Sequence, residues 1–226
     1  MSTGPIVVAK LGGNALDSLA EAIDRGAGSR LVIVHGGGAQ ISALMRRRGI
    51  EPRFVDGRRV TDLPSLACVR SALASVSDGL AAALAERGLA AAALRQGEVL
   101  RAERVVELGL VGRVAAIDTG PITAAWAAGR VPLVAPVGRD TGERFLNVNA
   151  DDVAAAVAAA LGAEELVFVS DVPGVLDAAG AVIPIISAAA PPSVSGGMLP
   201  KLEACAAAVA AGVATVRIGA GTRVTA

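Results

Sequence analysis

The chain has 226 residues, enough to bury a full core as one large domain or as two lobes that share a sheet. Its 21 basic and 21 acidic side chains balance, so no overall field favours nucleic acid or an anionic membrane. Aromatic residues make up 2% of the chain, which argues against recognition of bases by stacking. The apolar runs are mostly alanine and fall short of the roughly 20 residues of a membrane-spanning helix.

The two cysteines, Cys68 and Cys205, each lie in an alanine-rich helical pattern, where a thiol packs as a small hydrophobe. With one histidine and no clustered cysteines, the sequence indicates no zinc or iron site. The first strand begins within a few residues of Met1, and this start does not resemble a signal sequence. We therefore expect a cytoplasmic protein.

Short runs rich in Val, Ile and Leu alternate with helical patterns, which is typical of parallel strands covered by helices on both faces. The predicted strands are Ile6–Ala9, Leu31–Val34, Ala90–Leu94, Val131–Ala135, Leu166–Val169 and Thr215–Ile218. The predicted helices are Ala15–Arg25, Ala39–Arg48, Leu63–Arg87, Gly120–Ala128, Ala150–Leu161 and Met198–Ala211. Hairpins are predicted at Arg53–Val60, Val99–Val114 and Gly142–Leu146, and a lobe boundary near Val137–Phe145.

The chain contains only two lysines, and both lie beside glycines. Lys10 precedes Gly12-Gly13, and Lys201 follows Gly196-Gly197. A compact ammonium group beside backbone amides is suited to hold a transferring phosphoryl group. A third motif, Asn147–Asp152, supplies an acidic residue that can fix both ammonium groups in place.

Glycine turns follow the first two predicted strands, at Gly12-Gly13 and, after His35, at Gly36–Gly38. Side by side at one edge of a parallel sheet, such turns present backbone N–H groups to an anion. For either turn alone, a tight turn without a ligand is an equal alternative. The sequence lacks a Walker loop, a dinucleotide fingerprint and the protein-kinase motifs. We interpret the chain as a small-molecule kinase built on another scaffold.

In their order along the chain, these motifs resemble the amino acid kinase family. The shared segments are residues 8–14, 32–38, 57–62, 147–151, 170–177, 196–201 and 221–223. The resemblance implies an α/β fold, an open three-layer α/β/α sandwich with a mainly parallel central sheet. It also implies ATP-dependent phosphorylation of the γ-carboxylate of N-acetyl-L-glutamate, a step of arginine biosynthesis, with Mg²⁺ carried by the nucleotide.

The resemblance further implies a role for individual residues. Lys10 and Lys201 would stabilise the transferring phosphoryl group, and Asp151 would hold both lysines. Acceptor and phosphoryl oxygens would be bound by Gly13, Gly37, Gly38, Arg59 and Asn147. The nucleotide would contact Asp171, Val172, Gly174, Val175, Leu176, Ser193, Val194 and Ser195. Residues 1–146 would form the amino-acid-binding and dimerisation lobe and residues 147–226 the nucleotide-binding lobe, on one continuous sheet.

His35 invites assignment as a general base, but a carboxylate acceptor is already ionised at neutral pH. We expect a structural histidine that orients the glycine turn. Some members of the family that the chain resembles have an additional N-terminal helix that forms a hexamer and binds arginine as an inhibitor. Because the first strand begins within a few residues of Met1, we expect no such helix here, and therefore a homodimer without strong inhibition by arginine. The apolar helix at Leu63–Leu84 is the predicted dimer interface.

Several segments depart from the family pattern. Pro191-Pro192 replaces an expected helix, and the stretch before Gly221-Thr222-Arg223 is short, which indicates a trimmed nucleotide lobe. One alternative is therefore a kinase for aminoadipate or glutamate attached to a carrier protein, although in that group the late lysine lies in a more basic stretch. A catalytically weak, ligand-sensing relative is the other alternative, and the retained Lys10, Asp151 and Lys201 argue against it.

Overall fold

The computed structural model describes residues 4–12, 15–169, 172–192, 194 and 197–226. In chain order the elements are β1 (Ile6–Leu11), α1 (Leu19–Arg25), β2 (Arg30–His35), α2 (Gly38–Arg47), β3 (Phe54–Val55), β4 (Arg58–Arg59), α3 (Leu63–Ala85), β5 (Ala91–Ala93), β6 (Leu100–Val105), a 3₁₀ turn (Val106–Leu108), β7 (Val111–Ile117), α4 (Gly120–Ala127), β8 (Val131–Val134), β9 (Val137–Arg139), β10 (Phe145–Val148), α5 (Ala150–Leu161), β11 (Glu165–Val169), β12 (Ile185–Ser187), α6 (Met198–Ala210), β13 (Thr215–Ile218) and β14 (Thr222–Thr225).

The main sheet has eight strands in the order β12-β14-β13-β11-β1-β2-β8-β5. The six predicted strands run from β13 to β5 in this order, and all their pairings are parallel. The predicted mainly parallel sheet is therefore confirmed. Two further strands, β14 and β12, extend one edge, and β14 runs antiparallel to β13. They were not predicted, because runs of three or four residues carry too little periodicity.

Helices cover both faces of this sheet and make the three predicted layers. On one face α4, α5 and α6 pack around Val8 and Phe168. On the other face α1 and α3 pack around Val7 and Ala9. Since successive residues of a strand point to opposite faces, Lys10 shares the face of Val8, which is the α5 side.

Two boundaries differ from the prediction. Helix α1 begins at Leu19 instead of Ala15, because residues 15–18 form turns with Ser18 at the N-cap. The hairpin predicted at Gly142–Leu146 is longer and pairs β9 with β10. Its turn is held by Asp140, whose carboxylate accepts hydrogen bonds from the backbone of Gly142 and Arg144.

The other two predicted hairpins are confirmed. Strands β3 and β4 pair antiparallel as a separate two-stranded unit, and β6 pairs antiparallel with β7. Strands β6, β7, β9 and β10 close into a small second sheet in the order β10-β7-β6-β9. This second sheet ends beside the start of α5, because β10 leads into that helix after Val148.

The carboxyl ends of the parallel strands meet at one edge of the main sheet. There Gly12 follows β1 and Gly36 follows β2. The chain leaves β1 toward β2 on one side, whereas β11 and β13 lie on the other side of β1. In open α/β sheets, the crevice at such a change of direction is where ligands bind.

Helix α3 is the one helix of the described residues that has the length and apolar composition of a membrane span. However, Leu66, Leu73 and Leu80 on one side of α3 are buried in the core, and Ser71 and Asp78 lie on the exposed side. Asp62 is the N-cap of the helix, since its carboxylate accepts a hydrogen bond from the backbone N–H of Ser65. We interpret α3 as a core helix of the sandwich.

Candidate active site

Three charged side chains meet at the carboxyl edge of the main sheet. Lys10 Nζ lies 2.5 Å from Asp151 Oδ1, and Lys201 Nζ lies 3.4 Å from each Asp151 carboxylate oxygen. The three side chains are only 9–12% exposed. One carboxylate therefore faces two buried ammonium groups, and this charged cluster, Lys10, Asp151 and Lys201, keeps an excess of positive charge.

Each member of the charged cluster comes from a different element. Lys10 is near the end of β1, and Asp151 is in the first turn of α5. That helix is capped by Asn149, whose side-chain oxygen accepts a 2.7 Å hydrogen bond from the backbone N–H of Asp151. The positive end of the helix dipole also favours the Asp151 carboxylate. Lys201, near the start of α6, lies 5.0 Å from the ring centroid of Phe168, which is paired with Lys10 in the sheet.

The pKa values in the charged cluster reflect burial and mutual attraction. Burial alone would raise the pKa of Asp151, but Lys10 and Lys201 together outweigh it and hold this pKa below its usual value. Burial and repulsion from Lys10 lower the pKa of Lys201, against the attraction of Asp151. Asp151 is thus ionised at neutral pH, while the Lys201 ammonium is stabilised less well than a solvated lysine. An additional anion would stabilise it.

Cys205 lies on α6 close to the charged cluster. Burial raises the pKa of its thiol to about 12, although the charge of Lys201 acts in the opposite direction. Cys68 is buried as well. The predicted packing role of both thiols is confirmed, and Cys205 is protonated at neutral pH.

A cavity of about 360 Å³ opens beside the charged cluster. It is lined by residues from the glycine turns, the β3–β4 hairpin, the second sheet and the start of α5, among them Lys10, Gly12, Gly36, Gly37, Gly38, Arg59, Asn147 and Asp151. A larger, apolar cavity of about 820 Å³ lies at the opposite edge of the main sheet, near Leu31 and Trp126. Among the described residues, no predicted site residue lines that larger cavity, so the smaller one is the candidate active site.

Arg59 lies in this cavity with its charge uncompensated by the protein. Its side chain is buried, and Nη2 donates to Gly38 O at 3.2 Å and to Ser42 Oγ at 2.9 Å. The Phe54 ring centroid lies 4.6 Å from the guanidinium carbon. Burial lowers the pKa of Arg59, and the nearby Arg46 adds to this. No ion pair between described residues includes Arg59. A buried guanidinium with neutral partners is suited to bind a carboxylate through two hydrogen bonds.

Asn147 connects the second sheet to the segment that carries Arg59. Its Nδ2 donates to Thr61 Oγ1 at 3.1 Å, and Thr61 Oγ1 donates to Arg59 O at 2.8 Å. Sequence reasoning gave no role to Thr61, Asn149 or Phe54. Thr61 and Asn149 lie within recognised motifs, and the N-cap pattern before an acidic helix start identifies Asn149. No signal in the sequence identifies Phe54.

The glycine turns form the floor between the charged cluster and Arg59. Gly37 is the N-cap of α2, and Gly38 is its first residue, so the free N–H groups of this helix end face the cavity region. A Cβ at Gly37 would lie 3.0 Å from Leu73 Cδ2, closer than ordinary van der Waals contact, so the Leu73 side chain would have to shift by a few tenths of an ångström. Gly13, predicted to act with these glycines, lies outside the described residues.

The predicted nucleotide-binding residues that the structure describes are not among those that line the cavity. Val172 and Leu176 are exposed, whereas Val175 is buried in the core. The Val175 N–H donates a 2.9 Å hydrogen bond to Thr222 Oγ1, which holds this loop against the turn after β13. The partly buried Val194 packs against the same core. Gly174 lies close to Thr222. Asp171, Ser193 and Ser195 lie outside the described residues.

His35 has a structural position, as expected. It is fully buried, its Nδ1 lies 3.1 Å from Gly36 O, and its Nε2 lies 2.7 Å from Ser77 Oγ. Because a carbonyl only accepts, Nδ1 carries the proton and Nε2 accepts from the Ser77 hydroxyl. The ring thus ties the glycine turn to α3. Burial lowers the pKa of His35, although the bond to Gly36 opposes this.

Comparison with known proteins identifies the family of the chain. A sequence profile of the amino acid kinase family matches residues 5–220. The chain belongs to the amino acid kinase family. Acetylglutamate kinase of Acidiphilium cryptum (strain JF-5) is 40% identical over 241 residues, which cover 93% of this chain and 81% of that protein. Nearly the whole chain is therefore similar in sequence to this acetylglutamate kinase.

Solved structures of similar proteins share the fold. The structure of smu.665 from Streptococcus mutans UA159 superposes with a TM-score of 0.89 at 34% identity, covering 97% of this chain and 98% of that one. Carbamate kinase from Giardia lamblia bound to AMP-PNP superposes with a TM-score of 0.74 at 15% identity, covering 100% of this chain and 99% of that one. The second likeness supports the amino acid kinase fold alone. The three-layer fold predicted from the sequence is therefore confirmed.

The buried neutral His35 makes stability depend on pH. Its pKa in the folded protein is below the ordinary value of 6.5, so the unfolded chain binds more protons as the pH falls below 6.5. The free energy of unfolding should be unaffected by His35 above that pH and decrease below it, by at most about 1.4 kcal/mol per pH unit. Urea unfolding between pH 5 and 7 measures this slope.

The matched variant is His35→Gln, which removes the only histidine of the chain. This variant should be less stable at pH 7 but show a flatter dependence between pH 5 and 6.5. An equal slope in both proteins would show that other groups cause it.

Proposed function

We propose that the protein transfers the γ-phosphoryl group of ATP to the γ-carboxylate of N-acetyl-L-glutamate in arginine biosynthesis. The observation that carries this proposal is a cavity lined both by Lys10 and Asp151 of the charged cluster and by the buried Arg59. A dicarboxylate acceptor matches this cavity, since it presents one anion to each cationic group. The similarity to acetylglutamate kinase of A. cryptum supports the choice of acceptor.

In this mechanism Arg59 binds the α-carboxylate and Asn147 hydrogen-bonds the amino acid. The γ-carboxylate oxygen attacks the γ-phosphorus of ATP, the new O–P bond forms, and the bond to the β-phosphate oxygen breaks to release ADP. No base is required, because the acceptor is already ionised. Lys10 and Lys201 stabilise charge on the phosphoryl oxygens, while Asp151 holds the two ammonium groups at the correct distance.

ATP is the proposed second substrate, with Mg²⁺ bound to its phosphates. Among the described residues, no group of three or more Asp, Glu, His or Cys side chains is arranged to hold a metal ion. Both Asp151 oxygens already face ammonium groups. Two ammonium groups fit an anionic triphosphate, and the metal would neutralise further phosphate charge. The proposed nucleotide contacts are Asp171, Val172, Gly174, Val175 and Leu176, and Ser193, Val194 and Ser195. The described residues 172–176 follow β11, whose carboxyl end lies at the same sheet edge as that of β1.

The proposed division of labour assigns the amino acid to residues 1–146 and the nucleotide to residues 147–226. It is supported by the positions of Arg59 and the glycine turns in the first segment and of Lys201 in the second. Asn147 and Asp151 lie at the border and line the acceptor cavity. The sheet is continuous across the border, since β1 pairs with β11. A cytoplasmic location is also part of this proposal, since the reaction uses ATP and the acceptor.

The direct test is formation of an acyl phosphate, trapped as a hydroxamate, with ATP and Mg²⁺. N-acetyl-L-glutamate, glutamate, N-acetylaspartate and 2-aminoadipate are compared as acceptors. Selective turnover of N-acetyl-L-glutamate supports the proposal. Absence of turnover with every acceptor would refute it and favour a carrier-bound substrate or a ligand-sensing protein.

Replacing Lys201 by alanine should lower kcat strongly, by about 10²-fold or more, with a much smaller change in KM. The reason is that the ammonium group stabilises charge that is largest in the transition state. Steady-state kinetics with ATP and N-acetyl-L-glutamate measure this difference. Ala207→Ser, at an exposed position of the same helix, is the control and should retain full activity. Full activity of Lys201→Ala would contradict the assigned role.

Replacing Arg59 by lysine should raise the KM for the acceptor by about tenfold or more, because lysine cannot form the paired hydrogen bonds of a guanidinium. The KM for ATP should change little. The same substitution at the exposed Arg53 is the control. If Arg59→Lys changed the KM for ATP instead, the carboxylate site would lie elsewhere.

We also propose a homodimer formed through the exposed side of α3. Small residues at Ala67, Ser71, Ala74 and Ala82 on that side allow close approach of a second helix. Native mass spectrometry should find dimers. Arginine at roughly 1 mM, which would saturate a tight binding site, should leave turnover unchanged. Hexamers or clear inhibition would contradict this proposal.

A further inference from the structure

The β3–β4 hairpin is one wall of the active-site cavity, yet it belongs to neither larger sheet. Its strands are joined by Asp56 and Gly57, which have φ values of 47° and 75° and form a tight turn. Phe54 and Val55 are 54% and 49% exposed, so the hairpin buries little apolar surface. A two-stranded hairpin with so little core is not stable by itself. Backbone hydrogen bonds of Thr61 with Leu108 and Leu110 hold the chain directly after β4. The position of the hairpin itself depends on a few side-chain contacts.

Two neighbouring arginines make these contacts on opposite sides of β4. Arg59 reaches α2, where it donates to Gly38 O and Ser42 Oγ. Arg58 reaches α5, where its Nη2 lies 3.3 Å from Asp152 Oδ2. The cavity lies between these two anchors, and both arginines line it.

The ion pair between Arg58 and Asp152 lies next to the charged cluster, because Asp152 directly follows Asp151. The Arg58 and Asp152 side chains are 29% and 21% exposed, so water screens their ion pair only in part. This pair connects the wall that carries Arg59 to the helix that carries Asp151. We propose that Arg58 and Asp152 form a positioning strap that holds the hairpin against α5 and fixes the distance between Arg59 and the charged cluster.

The surroundings of Asp152 support this assignment. Burial raises the pKa of Asp152; Arg58 opposes this, and the nearby Asp151 and Glu203 raise it further. Asp152 thus lies among other acidic side chains, and Arg58 is the described group that compensates its charge. An open hairpin would leave this carboxylate without that compensation.

The strap extends the proposed function, since it would set the fit of the dicarboxylate acceptor. Its test is a double-mutant cycle with Arg58→Gln, Asp152→Asn and the combination. Each single variant should raise the acceptor KM by about three- to tenfold and change kcat and the KM for ATP less. The combined variant should be no worse than the poorer single variant, because the same interaction is lost only once.

Direct binding of the acceptor by Arg58 predicts a different pattern. In that case Asp152→Asn would leave the acceptor KM unchanged or lower it, because it frees the guanidinium. Losses that add in the combined variant would likewise show two independent effects. Either result would overturn the strap.

Hydrogen exchange gives a readout that does not depend on activity. In the protein without substrates, the amides of residues 53–60 should exchange faster in Arg58→Gln and in Asp152→Asn than in the unmodified chain, with Arg58→Lys in between. The matched control is Arg217→Gln, which breaks an ion pair with Glu165 of similar length, 3.2 Å, and similar exposure, 35% and 21%. This control should leave the hairpin amides unchanged.

The experiments distinguish a failure of the proposed function from a failure of the strap. If the unmodified protein does not phosphorylate N-acetyl-L-glutamate, the proposed function is wrong, and the exchange of residues 53–60 still decides whether the strap exists. If turnover is normal but exchange of the hairpin does not change in either single variant, the strap is wrong and the function stands. Urea unfolding of each variant separates local opening of the hairpin from global loss of stability.

Discussion

The site depends on one carboxylate that faces two ammonium groups. Taking three charged side chains out of water is costly, and Asp151 offsets the cost for both lysines at once. Because Lys10, Asp151 and Lys201 come from β1, α5 and α6, this contact requires α5 to pack over β1 and α6 to begin beside β11. The strand order, with β11 next to β1, meets that requirement. The order of the sheet and the charge of the site are therefore linked.

A second cationic group, Arg59, lies on the other side of the glycine turn. Its bonds to Gly38 and Ser42 hold the guanidinium in place without neutralising it. The cavity is thus lined by Arg59 as well as by Lys10, with the backbone of the glycine turns also in its wall. An acceptor with two anionic groups at a fixed spacing fits this pattern, and the proposed function rests on that match.

The sequence predicts the members of the charged cluster better than the contacts that surround it. Lys10, Asp151 and Lys201 were predictable because rare lysines beside glycines and an acidic helix start are local signals. The six inner strands were predictable because Val- and Ile-rich runs alternate with helical patterns. The edge strands β12 and β14 were not, since they are short, and the start of α1 was set by turns that apolar periodicity does not show.

The contact between Arg58 and Asp152 lay beyond the reach of the sequence for another reason. It joins side chains from a hairpin and a helix that are far apart in the chain, and neither residue type is unusual at its position. Only the packing of the hairpin across the cavity brings them together. The loop at 172–176 differs again: its motif was recognised, but the motif does not reveal that Val175 faces the core while Val172 faces solvent.

The reactivity of the two buried thiols can be used to measure how often the helices separate from the main sheet. Cys68 lies in α3 and Cys205 in α6, on opposite faces of the main sheet. Since only the thiolate reacts with alkylating reagents, a thiol whose pKa is raised to about 12 is nearly inert while α6 stays packed. Modification of Cys205 therefore records how often α6 separates from the sheet. Cys68 is fully buried, so its modification requires opening of the α3 layer on the other face.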